Sequence, residues 1–353
     1  MNDLIKAELK RSSDVISGID PVQIRKAADV IKESVKKGGQ IIFMGNGGSS
    51  ADAQHIAAEF SGKYAFDRPA MAGVCLSNIA PVTAIGNDYT YDFVFKRQIE
   101  AGCRKGDVVV GFSTSGNSKN VVLALEAAKA IGAYTISFTG DCGILREKVD
   151  LPVIIPTKET PRVQEGYLVA CHTICGIVER ELFGKKAVFV DRDDTLVIDA
   201  PYCGDPDKLI IYPGVPEAVA KLNKAGYLVI VVTNQSGIGR GLIDEAALSK
   251  VHDKLVKEIE AGGGKIDDIY YCPHHPDAGC GCRKPETALG VEAIVKYNIN
   301  PSKSFMIGDL DRDIEFGKRL GLMTFQVKGD RTFVKIVDSI LGIEQQPSVR
   351  SQK

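Results

Sequence analysis

The chain has 353 residues, too many for one ordinary hydrophobic core, so two domains are expected. It is 44% hydrophobic and 25% charged, the composition of a water-soluble globular protein. A formal net charge of −1 excludes a global field that would draw it to nucleic acid or an anionic membrane. The first residues, MNDLIKAELKRSSD, are charged and lack an apolar h-region, which predicts no secretory signal. No apolar run is long enough to span a bilayer. Nine cysteines are an odd number, and three fall in CPHHPDAGCGC, a pattern of a metal site rather than a disulfide framework. The expected compartment is the cytoplasm.

Residues 3–36 have apolar positions at helical spacing, with a break at Asp20-Pro21 where a second helix can start. Short apolar runs then alternate with amphipathic segments. The runs are QIIFM (40–44), GVCL (73–76), DVVVGF (107–112), YTISF (134–138) and LPVIIP (151–156). A last helix is predicted from about Pro161 to Phe183. The series restarts with KKAVFV (185–190), YLVIVVT (227–233), DDIYYC (267–272), SFMIGD (304–309) and MTFQV (323–327). Buried strands alternating with helices predict an α/β fold with two doubly wound parallel-sheet domains. The expected division is 1–184, 185–342 and a polar tail, 343–353.

In the second series, DRDDT (191–195) follows directly on an apolar strand. Catalysis in open α/β sheets sits at the carboxyl ends of strands. Asp191 can attack phosphorus there, and Asp193 can protonate the leaving oxygen and then activate water. Thr233 and Asn234 end the next strand, with hydroxyl and amide donors for phosphate oxygens. Lys284 supplies a cation against developing negative charge. Asp309 is a further Mg²⁺ ligand with Asp191 and Asp193, and Asp313 is an orienter of Lys284 or of the metal waters. Cys272, His274, Cys280 and Cys282 form C-x-H-x5-C-x-C, a closed tetrahedral zinc set with no open position, and His275 is the weaker candidate.

This constellation resembles the haloacid-dehalogenase-like (HAD) phosphatases across residues 186–340. That family commonly has Gly where this chain has Asp194, and Asp tolerates positive φ better than most residues. The zinc loop resembles that of heptose bisphosphate and histidinol-phosphate phosphatases. The resemblance implies Asn234, Gln235, Arg240 and Arg283 as substrate contacts.

In the first series, GNGGSSADAQHIAAEF (45–60) follows a strand and opens a helix. Asn46, Gly47, Gly48 and Ser49 sit where the backbone can approach an anion. A second such loop carries Ser113, Thr114, Ser115 and Ser118, hydroxyls suited to a phosphate monoester; this loop resembles those of the sugar-isomerase (SIS) domains. His55 and Glu59 are one helical turn apart, and Gln164 and His172 lie about 80° apart around the last helix. With GND (86–88), which contains Asn87 and Asp88, residues 1–184 resemble the phosphoheptose isomerases. The resemblance implies interconversion of sedoheptulose 7-phosphate and D-glycero-D-manno-heptose 7-phosphate. Glu59 and His172 would be base and acid, and His55, Glu59, Gln164 and His172 would hold Zn²⁺. It also implies a tetramer formed through this domain.

The two resemblances together imply one bifunctional chain, with phosphosugar substrates and a separate heptose 7-phosphate kinase acting between its steps. The alternative is a non-catalytic SIS binding module joined to a histidinol-phosphate phosphatase.

Overall fold

The computed structural model describes residues 1–344, so the polar tail from 345 onward lies outside the described residues. The chain divides into two compact units, Met1–Leu182 and a second beginning at Phe183. Among the described residues, no helix is long and apolar enough to cross a membrane.

The first unit opens with helices α1 (Asn2–Ser17) and α2 (Pro21–Lys36). The break at Asp20-Pro21 is a helix start, with the Asp20 carboxylate accepting from the Val22 N–H and Pro at the first helical position. The strands are β1 (Ile41–Met44), β2 (Gly73–Cys75), β3 (Val108–Ser113), β4 (Tyr134–Gly140) and β5 (Leu151–Ile155). Between and after them run α3 (Gly48–Ser61), α4 (Ile79–Asp88), α5 (Lys96–Gly102), α6 (Lys119–Ile131), α7 (Leu145–Lys148) and α8 (Thr160–Phe183). All strand pairings are parallel, in the order β2-β1-β3-β4-β5. Both faces of the sheet are covered, so the strands read as near-continuous apolar runs rather than alternating ones. Ile42, Met44 and Val109 face α5 and α6. Phe43 and Phe112 stack on the opposite side with Phe60, Phe138 and Tyr167.

The second unit repeats the architecture. Its strands are β6 (Lys186–Val190), β7 (Tyr227–Asn234), β8 (Asp268–Cys272), β9 (Phe305–Gly308) and β10 (Met323–Gln326), in the parallel order β10-β9-β6-β7-β8. Its helices are α9 (Val215–Lys224), α10 (Ser236–Gly239), α11 (Glu245–Ala261), α12 (Ala288–Tyr297), α13 (Asp311–Arg319) and α14 (Phe333–Glu344). Val188, Val190, Val229 and Val231 pack under α9, α11 and α14. Ala187, Phe189, Ile230 and Val232 point the other way, toward α12 and α13.

Strand order reverses once in each sheet, between β1 and β3 and between β6 and β9. Loops leave in opposite directions at such a point and open a crevice at the carboxyl ends. The loops singled out in the sequence leave these strands: 45–48 and 113–118 in the first unit, 191–195 and 309–313 in the second.

Phe189 is fully buried in the second unit. Phe189→Ala should destabilise that unit by about 3–5 kcal/mol, read as an earlier urea midpoint; an unmoved midpoint would contradict the packing described.

Candidate functional sites

In the first unit, Gly47 has φ 57 and ψ −123, a backbone region essentially reserved for glycine, and it turns β1 into α3. A Cβ on Gly48 would collide with the side-chain amide of Gln164 from α8, so this glycine admits Gln164 to the crevice. Asn46 and Asn120 exchange side-chain hydrogen bonds of 2.9 and 2.8 Å across the crevice, and Tyr91 donates to Asn46 at 2.9 Å. The serine loop closes on itself: Ser113 and Ser118 hydroxyls are 2.9 Å apart, and the Asn117 N–H donates to Ser115 at 3.2 Å. Gly116, at φ 65, leaves no room for a Cβ against the Cys142 carbonyl. Ser118 occupies the N-cap position of the 13-residue α6 without a side-chain capping bond, so the loop presents hydroxyls and N–H groups at a helix N-terminus.

His55, Glu59 and His172 converge, with one ligand atom of each within 4.8 Å of the others. His55 Nε2 and Glu59 Oε1 are 3.1 Å apart, and the two imidazole rings meet edge-on at 5.0 Å. Burial, and then the nearby His55, hold the His172 imidazole below its ordinary range, opposed by Glu59. Two imidazoles and a carboxylate are a donor set that suits zinc.

In the second unit, Lys284 is buried between two carboxylates, 2.8 Å from Asp191 and 2.7 Å from Asp313. Asp191, Asp309 and Asp313 bring carboxylate oxygens within 4.8 Å of one another. Asp309 Oδ1 is buried and makes no hydrogen bond. Burial, followed by Asp191 and Asp313, pushes the Asp309 carboxyl up to about 6. Three carboxylates against one ammonium leave a negative surplus, which fits a divalent cation that prefers oxygen ligands.

The sequence names Asp193 with Asp191 and Asp309 as metal ligands; the carboxylates that gather within 4.8 Å of one another are those of Asp191, Asp309 and Asp313. The Asp193 carboxylate lines the same cavity as Asp191 and Asp309 and accepts from the guanidinium of Arg192 at 2.9 and 3.1 Å and from the Gln235 amide at 2.8 Å. Gln235 also donates to Thr233 at 2.9 Å. Asn234 exchanges bonds with the Lys284 backbone, 3.0 and 3.2 Å, and so holds the lysine loop on β7. The amides of Asn234 and Gln235, expected to meet substrate, therefore bind the site's own residues. Asp194 has φ 51, and its Oδ1 accepts from the Asp199 N–H and the Tyr212 hydroxyl at 3.2 and 3.3 Å. The departure from glycine is accommodated by a left-handed aspartate whose carboxylate ties down the following loop.

That loop faces the strand ends across a cavity of about 270 Å³. Tyr202, another non-glycine residue with positive φ (53), lines it, and its ring lies 5.9 Å from the Arg240 guanidinium. Beside the site, Cys272, His274, Cys280 and Cys282 form one cluster. His274 Nδ1 is 3.1 Å from Cys282, and the sulfur–sulfur separations are 3.3 to 3.6 Å. These spacings suit four donors around one zinc. His275 turns instead to the Asp277 N–H.

Residues 7–140 match the family model described as SIS domain, and residues 281–342 match the one described as HAD-hydrolase-like. The phosphoheptose isomerase of Clostridium acetobutylicum is 44% identical over 193 residues, 53% of this chain and 98% of that relative. The N-terminal half belongs to the phosphoheptose isomerase family. A solved phosphoheptose isomerase from Neisseria gonorrhoeae is 35% identical, covering 50% of this chain and 98% of that one, with a TM-score of 0.47. A D,D-heptose 1,7-bisphosphate phosphatase from B. bronchiseptica, solved with magnesium and phosphate, is 30% identical. That match covers 45% of this chain and 99% of the other, with a TM-score of 0.43.

In the isomerase unit, Thr114, Ser115 and Ser118 stay accessible at the loop, while Ser113 is buried. Ser49, expected to meet substrate, is also buried, its hydroxyl 2.5 Å from that of Tyr167. Asn87 and Asp88 are exposed at the end of α4 and bond to each other at 3.0 Å. Sequence reasoning missed Tyr64, which stacks on His172 at 5.5 Å, and the buried Arg68–Glu179 ion pair. Glu179 lies seven residues beyond His172, one face of a helix, and a charge on that face was the available signal. In the HAD unit it missed Arg192, Tyr202 and His252.

His252 is buried with Nε2 3.2 Å from Arg192, and burial, then the Arg192 charge, lower its pKa to about 3. An unfolded histidine titrates near about 6.5. Between these values the unfolded chain binds a proton that the folded chain does not. This contribution to stability is therefore full above the unfolded value and falls with pH, by at most about 1.4 kcal/mol per unit. His252→Gln should flatten the fall in urea stability between pH 6.5 and 4. Metal analysis gives a second check: Cys280→Ser should lose about one zinc per chain, and unchanged zinc would place the ion elsewhere.

Proposed function

We propose that the chain is a bifunctional heptose-biosynthesis enzyme. Its first unit interconverts sedoheptulose 7-phosphate and D-glycero-D-manno-heptose 7-phosphate. Its second removes the 7-phosphate of D-glycero-D-manno-heptose 1,7-bisphosphate. The observation that carries the first assignment is the convergence of His55, Glu59 and His172, in a unit of the phosphoheptose isomerase family that also carries a hydroxyl-lined loop.

Thr114, Ser115 and Ser118 hold the substrate phosphate at the N-terminus of α6. Glu59 moves a proton between C1 and C2 through an enediol, and His172 exchanges the proton of the neighbouring oxygens. Zn²⁺ on His55, Glu59, Gln164 and His172 supplies polarisation of the carbonyl when bound.

In the second unit, Asp191 attacks the 7-phosphorus and the sugar oxygen leaves with a proton from Asp193. Asp193 then takes a proton from the water that opens the aspartyl phosphate. Lys284, held by Asp313, neutralises charge as it develops. Mg²⁺ held at Asp191 and Asp309, with Asp313 adjacent, supplies charge screening between nucleophile and phosphate when bound. The zinc loop fixes Arg283, whose buried Nη1 makes no hydrogen bond, as a contact for the substrate's polar groups. The fusion to an isomerase unit favours the heptose bisphosphate over histidinol phosphate.

The isomerase unit is also the seat of oligomerisation. Helix α1 buries none of its residues, and Leu4, Ile5 and Leu9 are 62, 53 and 67% exposed. A row of exposed aliphatic side chains on a structured helix suits coverage by another copy of the chain.

Two assays test this reading. Glu59→Gln and His172→Gln should each lower sedoheptulose 7-phosphate turnover by about a hundredfold or more; unchanged turnover would remove the acid–base assignment. The wild-type chain should release phosphate from heptose 1,7-bisphosphate far faster than from histidinol phosphate, and the reverse preference would support the alternative substrate.

A further inference from the structure

We propose that Arg68 and Glu179 are positioning residues for the isomerisation: a buried clamp that sets Glu59 against His172. The inference rests on the acid–base reading of Glu59 and His172 given above.

Both side chains are shut away from water, 1% and 0% exposed, with Arg68 Nε 3.0 Å from Glu179 Oε1. The rest of the guanidinium binds backbone. Nη2 donates to the Glu59 carbonyl at 2.7 Å, and Nη1 donates to Phe60 at 2.8 Å and Pro69 at 3.1 Å. Glu59 and Phe60 lie in the last turn of α3, where carbonyls lack an intrahelical partner. Arg68 therefore caps the helix at the residue that carries the base. Glu179 accepts from the Tyr64 N–H at 3.0 Å and the Ala65 N–H at 2.8 Å. This holds the Tyr64 ring on His172, 5.5 Å between centroids with 29° between planes.

The pair thus joins the end of α3 to α8. Seven residues separate His172 from Glu179, which puts them on one face of α8, about 10 Å apart along its axis. His55 and Glu59 come from α3, and His172 comes from α8. The closeness of the three depends on how these two helices are held, and the clamp is a bonded link between them.

Stability alone gives a weak reason for such a pair. Burying two charges is costly, and packed apolar residues of similar volume often serve as well or better. What apolar residues lack is direction. A planar guanidinium fork fixes four acceptors at set angles, and a carboxylate fixes two backbone N–H groups. Reacting groups misplaced by about 1 Å can lose about a hundredfold in rate.

Arg68→Lys keeps the charge but not the fork, and Glu179→Asp keeps the charge but withdraws the carboxylate by one methylene. They loosen the clamp from opposite ends, so one folded variant decides. In variants that still unfold cooperatively, kcat for sedoheptulose 7-phosphate should fall by about ten- to a hundredfold. KM should stay within about threefold, because the serine loop is not bonded to the pair. A purely structural pair would instead lower the unfolding temperature and leave kcat, measured well below it, unchanged. A kcat within twofold of wild type in a folded variant overturns the proposal. Glu59→Gln separates the two failures. If it is inactive while the clamp variants are fully active, only the clamp is wrong. If Glu59→Gln is itself active, the acid–base reading fails, and the clamp proposal fails with it.

Discussion

Each unit of this protein depends on one topological constraint, a single reversal of strand order in a parallel sheet. Between β1 and β3, and again between β6 and β9, neighbouring strands send their chains to opposite sides. The crevice between the diverging loops is where backbone N–H groups, helix N-termini and strand-end side chains face one another. In the first unit Asn46 and Asn120 bond across it. In the second, Asp191 leaves β6 on one side and Asp309 leaves β9 on the other, and their carboxylates meet. The helix N-terminus in the first crevice favours an anion, whereas the acidic surplus in the second suits a divalent cation, so the chemistry differs with the side chains supplied.

The two sites solve the problem of converging charges differently. The HAD unit gathers three carboxylates, two of them against Lys284, and the Asp309 carboxyl is pushed up to about 6 by burial and its acidic neighbours. Such a cluster is poised for a divalent cation. The isomerase unit gathers two imidazoles and one carboxylate, and draws them from two helices rather than from strand ends. Helices can shift relative to each other more readily than hydrogen-bonded strands. That difference gives the Arg68–Glu179 link its importance on the isomerase side, whereas in the HAD site Asp191 and Asp309 follow directly on paired strands.

The local pattern of the chain carried most of the fold. The strands begin and end within a residue or two of the apolar runs, because a strand covered on both faces must be apolar throughout. The helix start at Pro21 and the loops at Gly47 and Gly116 were legible because the backbone there restricts the residue type. Candidate residues were legible where a side chain sits at a strand end, Asp191, Thr233 and Asp309, and Lys284 was legible from its place in the loop after β8. It was less legible where side chains turn inward. Asn234 and Gln235 look like ligand donors in the sequence, but they bond to the Lys284 backbone and to Asp193. Asp193 bonds to Arg192 and Gln235, partners that the motif alone did not indicate. Arg68 and Glu179 meet from positions far apart in the chain, a contact that no local periodicity encodes. Asp194 was an irregularity in the motif, and the structure gives it a use in holding the loop that carries Tyr202.

The central claim is that one chain carries two chemically independent sites. The most direct test is to follow both reactions on a single preparation of the Asp191→Asn chain. Phosphate release from heptose 1,7-bisphosphate should fall by about a thousandfold or more, because the carboxylate proposed to attack phosphorus is gone. Isomerisation of sedoheptulose 7-phosphate by the same preparation should match wild type. Phosphate release that persists, or isomerisation that falls with it, would contradict the account.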